Sequence, residues 1–190
     1  MGAEKLTRTT IMLSIENAVV VFVDIQGKLA TLMQDRESLY KNLVILAKGA
    51  QALGIPILWN EQVPEKLGPT IPELSEALPG LKPMAKSCFS CWKNPAFAEG
   101  LRRSGRRQLL LAGIEAHVCV YQTAMDLIRE GYEVHVVADA ISSRTASNRA
   151  IGLERMTEAG AALTSTEMAL FELVQVAEGE RFRQIARLVR

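Results

Sequence analysis

An alternation of textures constrains this chain most. Short apolar runs at residues 18–24, 55–60, 82–86, 108–112, 133–137 and 161–164 alternate with helix-patterned stretches at 38–53, 94–103, 120–130 and 147–159. The run Ala18-Val19-Val20-Val21-Phe22-Val23 is β-branched and has no polar alternation, as in a strand buried on both faces. Gly54, Gly105, Gly131 and Gly160 each fall between a helical stretch and the next strand, where helices end. Repeated βαβ units predict an α/β fold of three layers, α/β/α, around a six-stranded, mostly parallel, Rossmann-like sheet. A length of 190 residues suits one domain, 1–190, and no internal repeat or linker interrupts it. The stretch 63–83 holds Pro64, Pro69, Pro72, Pro79 and Pro83, and predicts a long irregular loop over the ligand end of the sheet.

Ligands of an open parallel sheet bind outside the carboxyl ends of its strands. Asp24 ends the first run, Lys86 ends the third, and Cys119 follows the fourth at the start of a helical stretch. Taken alone, Asp24 reads as a helix N-cap, Lys86 as a solvated loop charge and Cys119 as a buried packing thiol. An acid, a base and a thiol at three such ends can converge, and their joint occurrence argues for chemistry. The start of a helix favours negative charge, so the expectation is a thiol with lowered pKa and a thiolate nucleophile near neutral pH.

Other motifs carry less. Cys88-Phe89-Ser90-Cys91 has C-x-x-C spacing, yet no second such pair completes a metal site, and no Pro or Gly lies between the cysteines as a redox pair prefers. His135 lies among valines and reads as a core residue; His117 could touch substrate, but a Cys–His dyad needs its ring aimed at sulfur. Phosphate-cradling glycine loops and a G-x-S-x-G elbow are absent. Arg102, Arg103, Arg106 and Arg107 read as a solvated helix end, and a net charge of +1 implies neither nucleic acid nor an acidic membrane as partner. Residues 180–190, with Phe182, Ile185 and Leu188 at helical spacing, read as a helix docked on its own domain or on a neighbouring subunit. No apolar run approaches the roughly 20 residues that span a bilayer, residues 1–15 lack a signal-peptide core, and three cysteines make no disulfide framework. A cytoplasmic location is the expectation.

Four segments in order resemble the isochorismatase-like cysteine hydrolase superfamily: Phe22-Val23-Asp24-Ile25-Gln26, Lys86-Ser87-Cys88-Phe89-Ser90, Gly113-Ile114-Glu115-Ala116-His117-Val118-Cys119 and Val137-Ala138-Asp139-Ala140. The segments Asn60-Glu61-Gln62-Val63-Pro64 and Leu67-Gly68-Pro69-Thr70-Ile71-Pro72-Glu73-Leu74 are similar to the small isochorismatase-domain-containing hydrolases without a metal site. The resemblance implies that Asp24 moves protons, Lys86 favours the thiolate and holds Asp24, and Cys119 attacks a carbonyl carbon to form a thioester. It implies an oxyanion hole from the backbone N–H groups of Glu115 and Cys119, and a cis peptide at Ile114–Glu115. Metal-dependent members carry a D-x-H pattern after the second strand; here Leu58-Trp59-Asn60-Glu61-Gln62 has no histidine, so neither metal nor other cofactor is expected.

The resulting expectation is a metal-free cysteine hydrolase that cleaves a C–N bond of a small amide or related carbonyl substrate. Trp59, Gln62 and His117 are pocket candidates, and homo-oligomers are implied by the resemblance. The alternatives are ether or ester hydrolysis of the isochorismatase type, a non-catalytic scaffold, and a thiol oxidoreductase using Cys88 and Cys91.

Overall fold

A computed structural model describes residues 12–190; the expectation about a leader at 1–15 falls mostly outside the described residues. In chain order the elements are β1 (Ala18–Val23), α1 (Gly27–Thr31), α2 (Arg36–Ala52), β2 (Ile57–Gln62), α3 (Pro64–Leu67), α4 (Pro72–Glu76), β3 (Met84–Lys86), α5 (Pro95–Ser104), β4 (Gln108–Ile114), α6 (Tyr121–Arg129), β5 (Glu133–Ser142), α7 (Ala146–Glu158), β6 (Ala162–Thr164), α8 (Thr166–Val174) and α9 (Gly179–Leu188). A 3₁₀ turn at Cys91–Lys93 precedes α5, and a π-helical turn at Ala116–Val120 precedes α6. The strands form one six-stranded sheet in the order β3-β2-β1-β4-β5-β6, and every pairing is parallel.

Period-2 alternation builds the three layers from β1 outward. Ala18, Val20 and Phe22 join the core under α2, α4, α8 and α9, while Val19, Val21 and Val23 join the core under α5, α6 and α7. Both faces of β1 are fully buried, which is why its sequence lacks polar alternation. The amphipathic C-terminal helix docks on its own chain: α9 lies against α2 and α8, with Ile185 buried and Phe182 6.2 Å from Phe171. Among the described residues, no helix is long and apolar enough to cross a membrane.

The sheet order reverses at β1, whose neighbours are β2 and β4. In open parallel sheets such a reversal marks where ligands bind, here outside the carboxyl ends of β1 and β4. The strands meet there closely: a Cβ on Gly113 would stand 2.2 Å from the carbonyl oxygen of Val23, and Gly113 has φ +130°. No side chain fits, so glycine is required where β4 passes β1.

Candidate active site

The base side of the crevice is built by strand register. Gln62 pairs with Lys86 across β2 and β3, and Asp24 follows directly on β1 with φ 54°, a left-handed conformation. Lys86 Nζ donates to Asp24 Oδ2 at 2.7 Å, to Gln62 Oε1 at 2.6 Å, and to the carbonyls of Cys88 and Phe89 at 3.1 and 3.0 Å. An ammonium has three protons, so these acceptors use all of its donor capacity. Gln62 is fixed in turn: its Nε2 donates to Ser87 O at 2.8 Å, and its backbone exchanges hydrogen bonds with the Gln26 amide. Gln26 also reaches Gly68 O at 2.7 Å. The two glutamines brace the lysine.

The thiol side is built differently. The Ile114–Glu115 peptide is cis, and the chain then makes the π turn that carries Cys119. The Glu115 carboxylate accepts from the backbone N–H of Arg144 at 3.0 Å and from its Nε at 3.1 Å. His117 Nδ1 lies 3.0 Å from Ser143 Oγ. The loop after β5 therefore clamps the turn from one side. On the other, α7 closes in at Gly152, where a Cβ would meet Ala116 O at 2.7 Å and His117 N at 2.9 Å.

The two sides meet at a carboxylate and a thiol. Asp24 is 2% and Cys119 8% exposed, and Asp24 Oδ1 is buried without a conventional hydrogen-bond partner. The Cys119 thiol is near enough for each group to change the other's proton affinity. Burial raises the pKa of Asp24; Lys86 opposes that rise without cancelling it. Burial pushes the Cys119 thiol well above its ordinary pKa, the Asp24 charge pushes it further, and Lys86 only partly counters. Burial alone would weaken proton binding by Lys86, but the neighbouring thiols and Asp24 more than offset it, so its pKa is raised. The expectation of a low-pKa thiol is thus corrected. The helix start and one lysine do not outweigh desolvation and an adjacent carboxylate.

The pocket candidates separate. Trp59 shares a face with Phe22, is buried in the core, and donates from its indole to Thr70 Oγ1 at 2.8 Å. Its pocket reading is corrected to core packing, because strand alternation turns it under the sheet rather than over the crevice. Gln62 is at the site, but its amide is engaged by Lys86 and Ser87. His117 sits on the thiol turn and contacts Ser143.

Cys88 and Cys91 are free thiols; Cys91 is fully buried, and burial pushes it up to about 12. The arginine run is engaged locally. Arg102 stacks on Trp92, Arg107 stacks on Tyr132, and Arg106 donates to the carbonyls of Ile15 and Ala18. Among the described residues, no group of three or more His, Cys, Asp or Glu side chains is placed to hold a metal ion.

The isochorismatase domain model matches residues 18–168. Isochorismatase domain-containing protein 2A of Mus musculus is 37% identical over 176 residues, covering 92% of this chain and 84% of the relative. The MAR1 ribonuclease of Caenorhabditis elegans superposes with a TM-score of 0.88 at 34% identity, covering 94% of this chain and 92% of its own. The YcaC gene product of Escherichia coli, described as an octameric hydrolase of unknown specificity, superposes with a TM-score of 0.89 at 28% identity, covering 96% and 91%.

Proposed function

Because the chain belongs to the isochorismatase family, and carries that family's hydrolase fold, we propose that it is a cysteine hydrolase cleaving a C–N bond of a small amide or related carbonyl substrate. One observation carries the reading. A buried carboxylate is pinned 2.7 Å from a lysine with no donor to spare, and the Cys119 thiol lies beside that same carboxylate.

The chemistry follows from where the protons can go. As Cys119 Sγ attacks the carbonyl carbon, its proton passes to Asp24, so the thiolate exists only during attack. The carbonyl oxygen gains charge and is met by the backbone N–H groups of Glu115 and Cys119. Collapse breaks the C–N bond, the amine leaves with the proton held by Asp24, and a thioester remains. Asp24 then takes a proton from water, hydroxide adds to the thioester, and the acid departs as the thiol is restored. Lys86 cannot hand a proton to the leaving group while all its N–H bonds are engaged. Its part is to hold Asp24 and to balance whichever anion the site carries. Every step uses side chains and backbone of this chain, with no cofactor.

We place the enzyme in a reducing cytoplasm and in a homo-oligomer. The octameric description of the Escherichia coli neighbour supports the oligomer.

The test is ammonia release from a panel of small primary amides by the wild type and by Cys119→Ala, with rapid-quench intact mass to catch an acyl-enzyme. Release with an adduct on Cys119 supports the reading. Undiminished hydrolysis by Cys119→Ala would favour ether or ester cleavage by Asp24 alone, and no turnover of any amide or ester would favour a scaffold.

A further inference from the structure

The C-x-x-C segment plays no part in the hydrolysis above, yet it wraps the site's lysine. Lys86 Nζ bonds the carbonyls of Cys88 and Phe89, and the chain then turns so that Cys91 packs in the same core cluster as Cys119. Cys91 N–H donates to Thr123 Oγ1 at 2.9 Å, tying this thiol to α6, whose preceding turn carries Cys119. Both thiols respond to the charges of Asp24 and Lys86, and Cys119 responds to Cys91. Both thiols thus lie on the same face of the sheet, with Cys91 anchored to Thr123, four residues beyond Cys119.

Their access differs. Cys91 is completely sealed, Cys119 retains 8% exposure, and Cys88 lies half-buried on an outer groove with Phe89, Tyr121 and Met125. A small oxidant entering the crevice reaches Cys119 first. Cys91, pushed up to about 12 by burial, does not start such chemistry.

We propose that Cys91 is a resolving thiol for Cys119, and that hydroperoxides convert the pair into a reversible intrachain disulfide. In the first step Asp24 takes the thiol proton and Cys119 sulfur attacks the distal peroxide oxygen. The O–O bond breaks, the alkoxide or hydroxide leaves with the proton from Asp24, and Cys119 becomes a sulfenic acid. Sulfur loses two electrons and the peroxide gains them. In the second step Cys91 sulfur attacks Cys119 sulfur. The S–O bond breaks, the S–S bond forms, and hydroxide leaves with the Cys91 proton as water. A dithiol reductant restores both thiols. The disulfide removes the nucleophile from use while protecting it from irreversible sulfinic acid.

The inference needs a reactive Cys119 but no hydrolysed substrate, so its readout is covalent mass. Wild type, Cys91→Ala and Cys88→Ala are titrated with hydrogen peroxide, alkylated, digested with trypsin and mapped through peptides 87–93 and 108–129. The expected result is a peptide pair linked through Cys91 and Cys119 in wild type and Cys88→Ala, lost on reduction with dithiothreitol. In Cys91→Ala, Cys119 should accumulate as sulfinic acid at peroxide doses that leave wild type fully reducible. Equal sulfinic acid in wild type and Cys91→Ala overturns the proposal. So does a link that disappears in Cys88→Ala, or oxidation confined to Cys88. If the link forms but no amide is turned over, the hydrolase reading fails and this one stands.

Discussion

The two sides of the crevice are held by opposite means. On the base side, Asp24, Lys86, Gln62 and Gln26 lock one another through side-chain hydrogen bonds across neighbouring strands. On the thiol side the missing side chains matter as much: Gly113 lets β4 pass β1, and Gly152 lets α7 press on the backbone of Ala116 and His117. The base side is specified by polar atoms that must be satisfied, the thiol side by space that must stay empty. They should therefore fail differently.

The largest effect comes where the sides meet. Asp24→Asn and Cys119→Ala should each lower amide hydrolysis by about 10³-fold or more, since proton transfer and nucleophile act as one unit. The double variant, assayed by ammonia release, should lose no more than the worse single one; multiplicative losses would separate the two sides chemically. The same unit sets the pH profile. Burial raises the Asp24 pKa, and a protonated Asp24 cannot accept the thiol proton. Hence kcat/KM should fall as pH drops through a value above the usual carboxylate range, and level off above it. Iodoacetamide labelling of Cys119 at pH 7 should be slower than that of a free thiol, because burial and Asp24 disfavour the thiolate. Rapid labelling at neutral pH would break this picture.

Next comes the space itself. Gly152→Ala places a methyl 2.7 Å from Ala116 O, against backbone that cannot rotate away. It should destabilise the protein by about 1–3 kcal/mol in urea unfolding, as overpacking does, and misplace the turn enough to lower kcat by roughly 10²-fold. Gly100→Ala on α5 is the control: its methyl would meet only Leu58 Cδ2 at 3.5 Å. That change should stabilise by about 0.5–1 kcal/mol through helix propensity alone. If both substitutions behave alike, the thiol side is not held by close approach.

This contrast explains what was legible in the sequence. The runs at 18–24 and 108–112 lead to β1 and β4 because apolar, β-branched strands declare themselves locally. Asp24, Lys86 and Cys119 were legible as candidates because charged or nucleophilic residues stand at strand ends. The brace was not: Gln62 stood out only as a pocket candidate and Gln26 only within a family segment, and only the β2–β3 register brings Gln62 to Lys86. The π turn and the tail of β5 through Ser142 also escaped, since residues 138–142 lack a strand pattern and the turn depends on α7 packing. Trp59 misled because an aromatic residue at a strand end does not reveal which face it takes. Residues 63–83, expected to be irregular, hold α3 and α4, each opened by a proline at its first turn.

On the base side the brace predicts a smaller loss. Gln62→Leu removes an acceptor from a buried ammonium and leaves Ser87 O without its donor. The expected cost is about 1.5–3 kcal/mol, typical of a hydrogen bond to a charged group, measured by thermal or urea unfolding. Activity should fall only about tenfold, with KM little changed, because Gln62 acts through Lys86 and does not touch substrate. A large rise in KM instead would return Gln62 to the pocket, as the sequence had suggested.

The smallest effect is expected at His117, and it tests the division most directly. His117 lies on the thiol turn, where a hasty reading would make it the general base. Its Nδ1 faces Ser143 Oγ at 3.0 Å, and Ser143 belongs to the loop that clamps the turn. On the geometry, the ring is a clamp contact, and in the proposed mechanism the proton goes to Asp24. His117→Gln should therefore cost about 0.5–1.5 kcal/mol of stability, one ordinary hydrogen bond, and change kcat only a few-fold. The acid limb of the rate profile should not move, because the carboxylate that sets it lies on the other side of the crevice. A loss approaching that of Asp24→Asn, with a displaced acid limb, would put the base on the thiol side and dissolve the distinction between the two.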